Sequence, residues 1–263
     1  MNRALWVAKT GLDAQQTRMS VVSNNLANVN TTGFKKGRAV FEDLLYQTVR
    51  QPGAQATQEA QLPSGLTLGT GVRTVATEKL FNQGNLIQTE NALDMAIEGR
   101  GFFQILLPNG EIGYTRDGSF QLNADGEVVM SNGYPLQPGL VVPEDTQSLT
   151  IGKDGTVTAQ LPNQPEGVEL GIIQLADFIN PAGLQPMGEN LFLETGASGA
   201  AQQSNPGLNG IGTVIQGTLE SSNVNIAEEL VNMIETQRAY EVNSKAVSAA
   251  DQMLQFVNNN LAR

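Results

Sequence analysis

Glu90, Asp94 and Glu98 stand at four-residue intervals. On a helix that spacing would put three carboxylates on one face, able to hold a hard cation or to divide acid and base roles. On a solvated turn, which is the expected setting, the same residues do neither. Asn123-Ala124-Asp125-Gly126-Glu127 begins like a calcium-binding loop, but no bidentate Glu follows at the required spacing and no helical pattern flanks it, so a hairpin turn accounts for it. Gly69-Thr70-Gly71 and Gly99-Arg100-Gly101 are too short to cradle a phosphate; Gly99 and Gly101 suit a tight entry into a following strand. Asp117, Asp125 and Asp154 each precede Gly, a pairing that turn formation explains.

The rest of the composition narrows the chemistry further. None of the 263 residues is Cys or His. A thiol nucleophile, a disulfide, a zinc-thiolate site and a histidine base are therefore excluded. A carboxylate-only enzyme remains open in principle, but no paired-carboxylate cleft is visible, and neither a cofactor nor a metal is expected. The net charge of −11 opposes nucleic-acid binding. That charge is uneven. Residues 1–50 carry seven basic side chains against three acidic, a net of +4, while residues 220–263 carry three basic against six acidic, a net of −3. Opposite signs favour the two ends lying together. No stretch is long and apolar enough to span a membrane. Ala4 to Ala8 is too short for the core of a signal peptide, so the expectation is a cytoplasmic chain or export without a cleaved leader.

These features need elements to position them. Leu5, Ala8, Leu12, Gln15, Met19, Val22, Leu26 and Val29 alternate in steps of three and four, which predicts a helix with an a/d seam, polar only at Gln15. The helix should end in Asn28-Val29-Asn30-Thr31-Thr32-Gly33. At the other end Ile226, Met233, Tyr240, Val247, Leu254 and Leu261 recur every seven residues, with Leu230, Ile234, Ala250 and Val257 widening the stripe. Ser221, Ser222 or Asn223 is expected to cap that helix, with Glu228 and Glu229 near the positive end of its dipole. Each seam is narrow, so the two helices are expected to pair as a coiled coil. Val7, Val21, Ile234 and Phe256 lie off the seams or at their edge and are expected to meet neighbouring subunits, ordering the ends on assembly.

From Gly99 onward Asn-Gly and Asp-Gly dipeptides punctuate short apolar runs: Phe102 to Leu107, Glu111 to Arg116, Ser119 to Leu122, Glu127 to Met130, Leu149 to Ile151, Thr156 to Leu161, Val168 to Leu175 and Asn190 to Glu194. Many short strands joined by such turns predict an antiparallel β domain. Gln51 to Gly71 is rich in Gln, Thr, Gly, Ala and Pro and reads as a long loop or extended arm. The fold class is therefore α+β, with residues 1–45 and 221–263 forming a helical core domain, 46–98 and 195–220 an extended linking region, and 99–194 the antiparallel β domain.

Three segments carry a family resemblance. Ser23 to Lys35 (SNNLANVNTTGFK) and Glu229 to Lys245, beginning ELVNMIETQRAYE, resemble the terminal signatures of the flagellar rod and hook proteins, and Tyr114 to Phe120 (YTRDGSF) resembles their central one. Tyr46 to Gly53, Leu62 to Gly65, Gly69 to Val72, Gly207 to Gly210 and Ser222 to Asn225 are similar to the distal-rod branch of that family. The likeness covers essentially the whole chain and leaves no room for the added outer domains of a hook protein. It implies terminal helices around an axial channel, an outer β domain, and a loop after the first helix making axial contacts through Arg50, Gln51, Pro52, Gly53, Leu62, Pro63, Ser64 and Gly65. It implies a helical homopolymer that carries torque from motor to hook. Its neighbours would be proximal rod subunits, hook or hook-junction subunits, and periplasmic and outer-membrane ring proteins. Export would run through the flagellar type III apparatus to a rod crossing the periplasm. A proximal rod or hook subunit is the nearest alternative, and a secreted carboxylate hydrolase of cell-wall glycan the alternative of another class.

Overall fold

The computed structural model describes residues 3–53, 64–162 and 167–261, with side chains described through residue 256. A helix near each end and a largely antiparallel β body make the chain α+β. It divides into two compact units: Met1–Leu26, Gly37–Glu78 and Ile226–Arg263 form one, and Ala27–Lys36 with Lys79–Asn225 form the other.

The first unit contains α1 (Arg3–Ala27), β1 (Gly37–Asp43), β2 (Gln47–Arg50), β3 (Leu66–Leu68), β4 (Val72–Lys79) and α2 (Ile226–Leu261). β1 pairs with β4, and β2 pairs antiparallel with β3. α1 has no proline, and its steps of three and four lay one stripe along the helix. Val22 and Ala14 are buried, while Leu5, Ala8, Leu12, Met19 and Leu26 are half-buried. The β1/β4 ribbon also reaches α1, since the Val72 N–H donates to Thr10 Oγ1 at 3.3 Å.

The second unit is the β body, built from β5 (Leu86–Gln88), β6 (Met95–Glu98), β7 (Phe102–Leu106), β8 (Ile112–Thr115), β9 (Phe120–Leu122), β10 (Val128–Met130), β11 (Leu136–Gln137), β12 (Ser148–Ile151), β13 (Thr156–Gln160), β14 (Val168–Ile172), β15 (Leu175–Asp177), β16 (Gln185–Gly188), β17 (Leu191–Leu193), β18 (Gln202–Ser204), β19 (Thr213–Gln216) and β20 (Thr218–Glu220). The main sheet runs β16-β17-β8-β7-β15-β18, with β11 also pairing β7. β12, β13 and β14 form a second sheet, and β9–β10, β6–β19 and β5–β20 are antiparallel pairs. The stretch 46–98, which has no clear period in the sequence, thus carries β2 to β6.

β7 shows why the body is stable. Successive side chains of a strand point to opposite faces, and here both faces are covered. Phe103 and Ile105 enter one core with Phe120, Leu136, Val157 and Leu175. Phe102 enters another with Tyr114, Phe178 and Phe192. The rings meet edge to face, Phe103 with Phe120 at 5.3 Å and Tyr114 with Phe178 at 4.7 Å between centroids, a geometry worth about 0.5–1.5 kcal/mol beyond burial. The β7–β8 hairpin turns on Gly110 at φ +83°, as an Asn-Gly turn requires. Gly118 answers a different need. It lies against the Met95 backbone, whose N–H donates to the Gly118 carbonyl at 3.0 Å, and a side chain there would run into the Met95 carbonyl.

Candidate functional site

For a chain whose terminal helices are expected to assemble, the helices come first. Within the first unit α1 and α2 make side-chain contacts in an antiparallel register. Gly11 faces Asn243, where an added Cβ would come within 3.1 Å of Nδ2. Arg18 Nη2 donates to Asn232 Oδ1 at 3.3 Å and lies 3.7 Å from the Glu235 carboxylate. Asn25 Nδ2 donates to Glu229 Oε2 at 3.1 Å. The buried line of α2 is Glu229, Thr236 and Ala250, with Asn243 half-buried in step between them. It is polar or small, and it runs three residues on from the apolar seam read in the sequence. Met233 and Val247 of that seam are half-buried, and Ile226, Leu230, Tyr240 and Leu254 are exposed. Leu261 and Val257 lie outside the described side chains. Val231, Ile234, Val242, Met253 and Phe256 are exposed as well, Val242 at 64% and Phe256 at 70%. In α1 the off-seam residues Trp6 and Val7 are exposed. Val29, in the second unit, is half-buried. α2 begins at Ile226, and Asn223, one of the expected caps, is engaged elsewhere.

The β2–β3 arm presents a second apolar surface. Leu45, Tyr46, Val49, Leu66 and Leu68 are all exposed. Arg50, Gln51, Pro52 and Gly53 follow on the outgoing side and are exposed, and Ser64 and Gly65 lead back into β3. Leu62 and Pro63 lie outside the described residues.

The second unit holds a feature that the sequence reading missed. Lys35, Glu220 and Arg116 meet in the interior, with side chains 0%, 0% and 4% exposed. Lys35 Nζ donates to Glu220 Oε1 at 2.6 Å and to the Asn82 carbonyl at 3.0 Å. Arg116 Nη1 donates to Glu220 Oε2 at 3.4 Å, and Nη2 to the Gly99 carbonyl at 2.7 Å. The Gly84 N–H donates to Glu220 Oε1 at 2.8 Å. Two cations share one carboxylate, and Arg116 Nε is buried with no partner among the described residues. Burial pushes the Lys35 ammonium below the ordinary lysine range, against the pull of Glu220, and it lowers the Arg116 guanidinium for the same reason. The signal was present only as the opposite charge of the two ends, to which Lys35 and Glu220 both contribute, and as an Arg set between the core residues Tyr114 and Phe120.

The carboxylates singled out in the sequence do not converge. Asp94 accepts from Thr89 Oγ1 at 2.7 Å and from Asn91 Nδ2 at 2.9 Å, tying a turn. Glu98 ends β6, a strand rather than a helix turn, and Glu90 is exposed in the preceding turn. Asn123 Oδ1 accepts the N–H groups of Asp125 and Glu127 at 2.9 and 2.8 Å, as a side-chain-capped hairpin does. Among the described residues no group of three or more acidic side chains could hold a metal ion.

Three family matches fall on the helices and on part of the body. Residues 5–35 match the flagella basal body rod protein family, residues 96–159 the flagellar hook protein FlgE/F/G D1 domain, and residues 215–260 the flagellar basal body rod FlgEFG protein C-terminal family. Lys35, Arg116 and Glu220 thus come one from each matched segment. The flagellar basal-body rod protein FlgG of Buchnera aphidicola subsp. Schizaphis graminum is 56% identical over 252 residues, covering 96% of this chain and 97% of the relative. FlgG of Borreliella burgdorferi is 49% identical over 261 residues, 98% of each. The flagellar hook-basal body complex protein FlhP of Bacillus subtilis is 32% identical over 272 residues, 98% of this chain and 99% of the relative. On these family matches and full-length likenesses to rod proteins, this chain belongs to the flagellar basal-body rod protein family, as a structural rod subunit and not an enzyme.

Proposed function

We propose that the chain polymerises into the hollow helical distal segment of the rod, a shaft that carries torque from motor to hook. One observation supports this above the others. α2 is held to α1 by polar and small residues, and it leaves Ile226, Leu230, Ile234, Val242, Met253 and Phe256 exposed. A lone subunit gains nothing from that surface, whereas each such side chain fully buried against a neighbour contributes about 1.5–3 kcal/mol.

In this reading α1, through Leu5 to Leu26, and α2, through the line Glu229, Thr236, Asn243 and Ala250, pair as a coiled-coil inner domain, and Ile226, Leu230, Tyr240 and Leu254 of the apolar seam are left for neighbouring subunits. The Gly11–Asn243, Arg18–Glu235 and Asn25–Glu229 contacts, spaced about seven residues apart on α1, support that pairing. The arm from Arg50 to Gly65 makes axial contacts, supported by the exposed apolar residues beside it. Proximal rod subunits lie below, and hook or hook-junction subunits above. The ring proteins of the periplasm and outer membrane surround the β body, and the flagellar export apparatus delivers the chain to the basal body.

Electron microscopy of the concentrated full-length protein, with amide exchange before and after, tests the reading. Tubular filaments are expected, with residues 3–30, 47–50, 66–68 and 226–256 gaining protection on assembly. A protein that stays monomeric at high concentration, with both helices already slow to exchange, would overturn it.

A further inference from the structure

The buried trio sits at the centre of a wider knot of three chain passages, all within the second unit. The Gly33 N–H donates to the Glu220 carbonyl at 2.8 Å, and the Leu80 N–H to the Lys36 carbonyl at 2.9 Å. The Lys36 N–H donates to Asn223 Oδ1 at 2.7 Å, and Asn223 Nδ2 donates to the carbonyls of Leu80 and Asn82 at 2.8 and 3.0 Å. The Ser221 N–H donates to the Asn85 carbonyl at 2.8 Å. Lys79 Nζ donates to the Lys35 carbonyl at 3.0 Å and stands 4.1 Å from the Phe34 ring centroid. The passages joined are residues 33–36, 79–86 and 218–223. The chain passes between the two units at four points, after Leu26, Lys36, Glu78 and Asn225, and the last three lie within a few residues of the knot.

A buried ion cluster is a poor device for stability alone. Desolvating two cations and a carboxylate is costly, and well-packed apolar residues of the same size serve as well or better. The best-attested use of such a cluster is to specify one arrangement among several, because every misplacement leaves a charge buried and unpaired. Here Glu220 touches both other passages, through Lys35 and Gly84, and Arg116 binds it to the carbonyls of Ile97 and Gly99 in the body.

We propose that Lys35, Glu220 and Arg116 form a register lock, a set of positioning residues that gives the roots of the helical ends one fixed spacing on the β body. Identical subunits must present identical roots if their helices are to repeat along a polymer, so the lock rests on the polymer reading and serves it. Apolar replacement of the whole trio should spare the body and loosen the roots. Removing the carboxylate alone should be worse than removing the surplus cation.

The test uses full-length protein and site-resolved amide exchange. The amides of Gly33, Lys36, Gly84 and Ser221 report on the knot, and those of Ile105 and Val157 on the body. In the triple variant Lys35→Met, Arg116→Met, Glu220→Leu, the knot amides are expected to exchange roughly a hundredfold faster while the body amides keep their protection, and filaments become sparse or irregular. Glu220→Gln is expected to open the knot, whereas Lys35→Met, which leaves the Arg116–Glu220 pair, keeps it near wild type. Knot amides as slow as wild type in the triple variant would overturn the lock. So would loss of body protection along with the knot, because the trio would then be an ordinary stability element. Wild-type protein that fails to form filaments would strike at the proposed function instead, and the exchange comparison would still decide the lock.

Discussion

The β body and the helical unit use the same apolar residue types in opposite ways. In the body, β7 is covered on both faces and its Phe102, Phe103 and Ile105 are fully enclosed. In the helical unit, the covered line of α2 is Glu229, Thr236, Asn243 and Ala250, and many of its large apolar residues, Leu230, Val242 and Phe256 among them, are exposed. The direction in which apolar surface points separates a part that covers its own apolar side chains from a part that leaves many of them open. Helices of this kind draw little stability from propensity alone.

The comparison breaks most readily at Phe103. Phe103→Ala empties the centre of the larger core and is expected to cost about 3–5 kcal/mol, read as a fall in the denaturant midpoint of the isolated subunit. A loss near zero would mean that the body is no better packed than the helices. A smaller effect is expected at Glu229, which is buried and accepts from Asn25. Glu229→Ala should cost about 1–3 kcal/mol locally by stranding that donor. Amides of α1 and α2 should then exchange faster while Ile105 is unchanged, and a matching change at Ile105 would join the two regions into one cooperative unit. The mildest effect is a pH dependence. Lys35 faces Glu220 and Arg116, and its folded value is lowered by burial. Between that lowered value and the ordinary 10.5, the unfolded chain binds more protons than the folded one. Stability therefore rises with pH across this window, and the burial penalty is present in full below it. Wild type should gain stability relative to Lys35→Met as pH rises through that window. Lys79, also lowered by burial, is common to both proteins. So is Tyr114, raised by burial, and both cancel in the difference. A difference that falls or stays flat with pH would show Lys35 to be better solvated than its surroundings imply.

Much of this was legible in the sequence for physical reasons. A helix repeats every 3.6 residues, so the stripe from Leu5 to Leu26 announces itself, and Asn109-Gly110 and Asp154-Gly155 mark hairpins because their glycines must take positive φ. The covered side of α2 was not legible. The strongest apolar period there points outward, and a pattern reading takes the strongest period as the buried one. The trio was not legible either. Lys35 and Glu220 are 185 positions apart, and an ion pair between distant residues leaves no period in the chain. Asp94 was legible as a turn residue: its spacing with Glu90 and Glu98 admits a helix face, but a turn is the simpler reading, and the chain makes a turn and a strand there.

The two rims of the main sheet carry a final consequence. β16 contains Pro186, and its pairing with β17 shifts between Pro186 and Gly188. β18, at the opposite rim, is three residues long. A proline lacks the N–H that a newcomer strand would seek, and a kinked or very short rim offers too few free hydrogen-bonding groups to template one. For a member of a self-assembling family, rims of this kind steer copies away from amyloid-like stacking along the main sheet.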